Sequence, residues 1–156
     1  MEFWTLIEKI RDAIKNQTDI NAWCTINYGR QHKLYIGYDE ESPPAENDYP
    51  VIVIAPAEQG RSINVDYGPM EIDIGYGLHD TTRTESGNIV TYEGIENILA
   101  FRKVVEDTLF DMTTDFGGAW IEEANEYIEP IEAFPFFISM VGYRFRNPDR
   151  FTPILR

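Results

Sequence analysis

The stretch from Asp48 to Leu78 constrains the fold most, because it carries two strand signals of different kinds. Val51 to Ala55 is short, rich in β-branched residues and bracketed by prolines, which predicts a strand buried on both faces. From Ile63 to Leu78 apolar and polar residues alternate, which predicts a strand with one packed and one wet face. Gly68–Pro69 shifts that alternation and predicts a bulge. We expect the two strands to be central neighbours in one sheet.

The remaining elements flank this pair. Amphipathic stripes predict helices over residues 2–17 and 93–112. Polar segments at 39–48 and 79–88 predict exposed loops. Further strands are predicted at Ala22–Tyr28, Lys33–Tyr38, Trp120–Ile131 and Phe136–Phe145, the last two forming a hairpin. The length of 156 residues fits one α+β domain over 1–156, with 147–156 as an extended C-terminal arm.

Charge and cysteine content narrow the classes of function. The net charge is −14, which repels nucleic-acid phosphates and anionic membranes and argues against sequence-specific DNA binding. The last fourteen residues depart from this with four arginines and one aspartate. A single cysteine, Cys24, excludes an internal disulfide framework and is predicted to be a small buried hydrophobe. Since no signal-peptide pattern or long apolar run occurs, the cytoplasm is the expected compartment.

No motif predicts an active site, a cofactor site or a metal site. The pair His79–Asp80 could act as a general base only beside a nucleophile and an oxyanion site, and the sequence indicates neither. His32 has no companion residues that could bind a metal with it. The acidic loop at 39–48 does not have the ligand spacing of an EF-hand. A hydrolase that uses Glu122 or Glu126 in a carboxylate dyad is a remaining alternative, although acids in such numbers are more typical of a solvated or defended edge strand.

The order of elements resembles that of the tail terminator and tail-completion proteins of long-tailed phages. The segments that carry the resemblance are the helix Leu6–Ile14, the strands Tyr49–Ile54 and Met70–Ile74, the helix Leu99–Met112 and the closing strand Phe137–Arg144. The resemblance is one of layout more than of residue identity, and this chain is longer at 79–92 and 120–135. It implies a mainly antiparallel sheet with two helices packed on one face.

The resemblance also implies a function and partners. Such proteins are non-enzymatic components of the virion that form a homo-oligomeric ring, a hexamer, and contact other tail or head–tail connector proteins. They assemble in the host cytoplasm and remain in the virion. DNA passes through such a ring without specific binding, and an acidic lining suits that role.

Ring closure needs two different surfaces on each copy. We expect the arginines of the C-terminal region to contact acids of the neighbouring copy, in the 39–48 loop or the 122–129 strand: Arg144, Arg146 and Arg150 with Asp39, Glu40, Glu41, Glu122 and Glu126. The main rival interpretation is an acidic monomeric binding protein, a toxin-immunity protein or a DNA-mimicking inhibitor, whose charge would occupy a basic nuclease cleft.

Overall fold

The computed structural model describes residues 2–37, 39, 41–59, 70–111, 119–128 and 134–146, with the backbone alone of 58, 59, 127 and 128. These residues form an α+β fold in which helices pack on a mostly antiparallel sheet. In chain order the elements are α1 Phe3–Lys15, α2 Thr18–Tyr28, β1 Lys33–Ile36, a 3-10 turn Glu46–Asp48, β2 Val51–Gln59, β3 Met70–His79, β4 Arg83–Ser86, β5 Ile89–Tyr92, α3 Glu93–Asp111, β6 Trp120–Ile128 and β7 Phe136–Arg146.

The main sheet has five strands in the order β1-β2-β3-β7-β6. β2 and β3 are antiparallel neighbours and β3 is central, as the segment 48–78 predicts. β1 runs parallel to β2, whereas β3 and β6 both pair antiparallel with β7. The predicted hairpin of the last two strands is therefore confirmed. β2 continues beyond Ala55, with an irregularity between Pro56 and Glu58, and the bulge predicted at 68–69 lies outside the described residues.

One face of this sheet forms the core with the helices. The alternation along β3 holds throughout, and its inward side chains are fully buried: Met70, Ile72, Ile74, Tyr76 and Leu78. The stripes of α1 and α3 cover them, as the helical spacing predicts, with the side chains Leu6, Ile7, Ile10, Ile14, Ile98, Phe101, Val105 and Leu109 at most 2% exposed. Burial of this continuous apolar layer is the main source of stability.

The prediction of a strand at Ala22–Tyr28 is wrong, because these residues belong to helix α2. The helix ends at Gly29, which has φ 72° and donates its N–H to the Thr25 carbonyl at 2.9 Å. The aromatic and β-branched composition favours a strand locally, but tertiary packing decides otherwise. Trp23 stacks on Phe101 of α3, with ring centroids 5.2 Å apart. The described chain thus has three helices where two were predicted, and all three contribute to the one core.

The segment 79–88 also differs from its prediction, which was an exposed loop. It contains β4, which pairs with β5 in a two-stranded hairpin separate from the main sheet. The turn uses Gly87 with φ 61°, a conformation that L-residues rarely adopt. The hairpin is exposed, and its apolar residues Ile89 and Val90 are 63% and 45% accessible. The exposure of this segment agrees with the prediction, whereas the pairing of β4 with β5 was not predicted.

Candidate interaction surface

The sheet face opposite the helices, the open face, has a different composition. Register places on it Val53 and Ala55 of β2, Glu71, Asp73, Gly75 and Gly77 of β3, and Ile138, Met140, Gly142 and Arg144 of β7. The central strand β3 therefore presents two acids followed by two glycines on this face, whereas its inner face presents five buried apolar side chains. No described helix packs against this face.

A pocket of about 400 Å³ lies on the open face, between the sheet and the segment that precedes β2. Pro44 and Tyr49 of that segment form one wall. The strands contribute mainly apolar side chains to the rest: Val51, Val53, Ala55, Ile138 and Met140. Met140 is 41% exposed despite its apolar chemistry. A partly open apolar concavity of this size is typical of a binding surface.

Glycines of β3 make the floor of this pocket. A Cβ atom at Gly77 would come within 2.8 Å of both Tyr49 Cε1 and Val51 Cγ2, so only glycine lets the preceding segment pack this closely. Among the described residues, a Cβ at Gly75 would have only the Val53 Cβ nearby, at 3.7 Å. The space above Gly75 is thus available to an incoming group, whereas the space above Gly77 is filled by the chain itself.

Of the described residues that line the pocket, Asp73 is the only charged one. Its carboxylate leans over Gly142, where an added Cβ would lie 3.2 Å from Asp73 Oδ1. Burial raises the pKa of this carboxyl group above its usual value. Among the described residues, no hydrogen-bond donor or cation is paired with it. A partly desolvated carboxylate in an apolar pocket favours a cationic ligand group.

Two of the predicted interface arginines are paired within their own chain. The Arg146 guanidinium donates to Glu122 Oε1 at 2.5 Å and lies 6.0 Å from the centre of the Trp120 ring. Arg144 Nε is 3.8 Å from Glu122 Oε2. All these groups lie at the edge of the open face. Their contact with a neighbouring copy stays a prediction, and it would have to add to this intrachain pairing or exchange with it.

Glu126 lies on the opposite face of the sheet, where its contacts stabilise the fold. Its carboxylate forms an ion pair with Arg102 of α3. Arg102 Nε is also 3.7 Å from Glu106, which accepts a hydrogen bond of 2.9 Å from the Tyr143 hydroxyl. Tyr143 in turn shares a 2.7 Å hydrogen bond with the buried Tyr76 hydroxyl. This polar chain connects α3 to three strands, and burial raises the pKa of both tyrosines.

The opposite placement of Glu122 and Glu126 has a clear structural cause. Both have even numbers and would share a face of a regular strand. The register of β6 against β7 shifts by one residue between Ile121 and Glu123. The side chains after this shift therefore lie on the opposite face from the one that regular alternation would give them. The two carboxylates therefore do not converge, and this pair does not form a glycosidase-type dyad.

The other predicted interface acids lie in the segment before β2 or outside the described residues. Asp39 and Glu41 are exposed, and Asp39 Oδ1 accepts the Glu41 backbone N–H at 3.0 Å. Glu40 and Arg150 fall outside the described residues. The acidic segment is anchored at its end by Asp48, which pairs with Lys33 of β1 at 2.8 Å.

His79 and Asp80 point to different surroundings. His79 Nε2 is 3.6 Å from Glu46 Oε2, and its ring packs against Phe136 on the open face. Asp80 is buried and accepts hydrogen bonds from the Tyr28 hydroxyl at 2.8 Å and the Thr82 backbone N–H at 2.8 Å. Burial alone would raise the pKa of Asp80, but these donors outweigh it and lower the pKa overall. The pair does not act as one unit.

His32 and Cys24 are core residues. His32 is buried and its Nε2 lies 3.1 Å from the Ile14 carbonyl, which it bonds as a donor. Burial lowers the pKa of this imidazole. Cys24 is fully buried, as its sequence context predicts, and burial raises the pKa of its thiol to about 12. Neither environment suits a nucleophile or a ligand that must reach solvent.

The pocket and Asp73 were missed from the sequence, although a signal was present. Read at every second residue, β3 gives Glu71, Asp73, Gly75, Gly77 and His79 on its polar side. Two consecutive glycines on one face of a central strand indicate that something approaches the backbone closely. The segment that does so begins some thirty residues earlier in the chain, which periodicity does not reveal.

Among the described residues, no three His, Cys, Asp or Glu side chains are grouped closely enough to hold a metal ion. Within the same ranges, none of the helices combines the length and apolarity needed to cross a bilayer. A scan against models of known protein families and a search of curated proteins both give no match.

Proposed function

We propose that this chain is a structural assembly protein of a phage or prophage, a tail terminator or head–tail joining component that forms a ring of identical copies. The phage part of this proposal rests on the resemblance in layout. The self-assembly part is supported by the open face, a sheet surface with an apolar pocket and with no helix of the described chain packed on it. Large unpartnered apolar surfaces are typical of association sites.

The exposed hairpin supports self-assembly independently. An isolated two-stranded hairpin is at best marginally stable in water. Among the described strands, β4 and β5 pair only with each other, and Ile89 and Val90 stand exposed near the turn. This segment carries one arginine and one glutamate, which pair at 2.5 Å. In a protein of net charge −14, such a neutral apolar projection repels an approaching copy less than the acidic surface does.

The charge distribution supports a ring through which DNA passes. Edge strand β6 carries the exposed Glu123 on the open-face side, and the segment before β2 adds Asp39 and Glu41. A channel lined by such acids would repel the phosphate backbone instead of retaining it.

Native mass spectrometry and negative-stain microscopy over a range of salt concentrations test the proposal. We expect annular particles of a single copy number, which dissociate as salt screens the charge contacts between copies. A protein that stays monomeric at every salt and protein concentration would refute the proposed function.

Charge reversal identifies whether the arginines at the sheet edge contribute between copies. Arg146→Glu should weaken the ring, but it also removes the intrachain pair with Glu122. We therefore propose mixing this variant with Glu122→Arg. If the pairing exchanges between copies, the mixture assembles better than either variant alone, whereas a purely intrachain pair is restored only in the double variant. Lys103→Glu, on the exposed side of α3, is the matched control.

The surplus of exposed acid favours one second candidate, an acidic monomeric inhibitor of a basic nuclease. A monomer that captures a basic nuclease from host lysate and blocks its activity would support this candidate.

A further inference from the structure

The pocket on the open face has the chemistry to receive a peptide segment that is both apolar and basic. Its walls are apolar, and its one charged group, Asp73, is partly desolvated without a described cationic partner. Gly75 leaves room above the strand at its centre. Such a site would bury hydrophobic side chains and pair a guanidinium with the carboxylate.

The last ten residues of the chain have this composition. They contain Arg150, Phe151, Ile154, Leu155 and Arg156, and they lie within a net-positive stretch of fourteen residues in a protein of net charge −14. Of the four arginines after Gly142, two are already paired with Glu122, so the charge complementarity to Asp73 falls on the other two. The ten residues can span about 33 Å when extended, which is enough to reach a neighbouring molecule.

The geometry favours the pocket of another copy over the pocket of the same chain. β7 ends at Arg146, and the pocket lies along the strand at Ile138 and Met140. A segment that turned back would have to cover the ion pairs of Glu122 with Arg144 and Arg146, which lie between the strand end and the pocket. Covering these charges with apolar residues would cost desolvation energy. A segment arriving from a neighbour avoids them.

We propose that residues 147–156 of one copy dock into the open-face pocket of the next copy, with an arginine on Asp73 and apolar side chains against Val53, Ile138 and Met140. This rests on the proposed self-assembly and specifies its contact. Because the docking joins two different surfaces, it is heterologous and propagates into a ring.

Cysteine trapping in the full-length protein tests this directly. One preparation carries Met140→Cys, and a second, isotopically labelled, carries Phe151→Cys. The native Cys24 is buried and does not compete. After mixing and mild oxidation, we expect a disulfide between the two preparations, in clear excess over a control pair in which Lys103→Cys, on the exposed side of α3, replaces Met140→Cys. A yield equal to the control overturns the proposal. The double variant in one chain reveals the alternative, because closure within a single dilute chain places the segment in its own pocket and also overturns it.

Two pocket variants give a second readout. Asp73→Asn removes the charge, and Gly75→Leu fills the space above the strand, where an added Cβ would meet only the Val53 Cβ among the described residues, at 3.7 Å. Each should weaken assembly by roughly tenfold or more, measured by sedimentation velocity, while the thermal unfolding midpoint stays close to that of the wild type. Asp107→Asn on the exposed side of α3 is the control and should leave assembly unchanged.

The outcomes separate this inference from the proposed function. If the rings persist with both pocket variants and the trapping yield matches the control, the assembly proposal stands and the docking proposal fails. If the wild-type protein is monomeric under all conditions, both fail.

Discussion

The two faces of strand β3 offer a direct comparison within one segment of ten residues. On the inner face, five consecutive positions hold fully buried apolar side chains that pack against the helices. On the outer face the same strand presents Glu71, Asp73, Gly75 and Gly77. Side chains of a strand alternate between faces, so one strand can supply stability on one side and a binding surface on the other. The difference teaches that the stability of this fold and its association surface can be altered separately.

Truncation of the inner face should give the largest loss of stability. Ile74→Ala removes a fully buried side chain from the centre of the core and should cost about 2–5 kcal/mol of unfolding free energy. Met140→Ala, on the open face beside Gly75, should cost less than about 1 kcal/mol, since this side chain is already 41% exposed. Urea denaturation of both variants measures the contrast. Equal costs would show that the open face is packed in solution.

Adding a methyl group should also distinguish the two faces. It should destabilise the protein on the helix-covered side and have little effect on the open face. A Cβ at Gly94 of α3 would overlap the Phe137 ring, so Gly94→Ala should destabilise by about 1–3 kcal/mol. Gly75→Ala meets only the Val53 Cβ, at 3.7 Å, and should be neutral or slightly stabilising. Thermal unfolding of the two variants suffices, and a stable Gly94→Ala protein would contradict the packing of α3 described above.

The tyrosine pair tests the polar part of the covered face. Tyr143→Phe leaves the buried Tyr76 hydroxyl without its partner and should cost roughly 1–2 kcal/mol. Because both single variants break the same hydrogen bond between Tyr76 and Tyr143, the double variant Tyr76→Phe/Tyr143→Phe should cost less than the sum of the two single variants. A double-mutant cycle by chemical denaturation measures this coupling, and strict additivity would argue against the hydrogen bond.

The smallest effect concerns pH. Burial holds the pKa of His32 below its unfolded value, so the native state binds fewer protons than the unfolded state as the pH falls through that unfolded value. Stability should therefore be complete above about pH 6.5 and decline below it, by at most about 1.4 kcal/mol per pH unit from this group. His32→Gln should flatten the decline between pH 7 and 5.

Several features of the fold could be predicted because their signals are local. The stripe of α1, the alternation of β3 and the β6–β7 hairpin each depend on spacing within one segment, and each is present in the structure. The α2 segment could not be predicted in this way. Its composition favours a strand, and contacts such as that of Trp23 with Phe101, far along the chain, make it a helix.

The amino-acid sequence by itself determined which side chains are buried along α1, α3 and β3, and it determined the acidic surface, because both follow from residue order and ionisation alone. Tertiary structure alone decided which charged groups meet. A one-residue register shift in β6 separates Glu122 from Glu126, and the close approach of Tyr49 to Gly77 builds the pocket that contains Asp73. Both depend on how distant segments are paired, and side-chain spacing within a segment carries no information about that pairing.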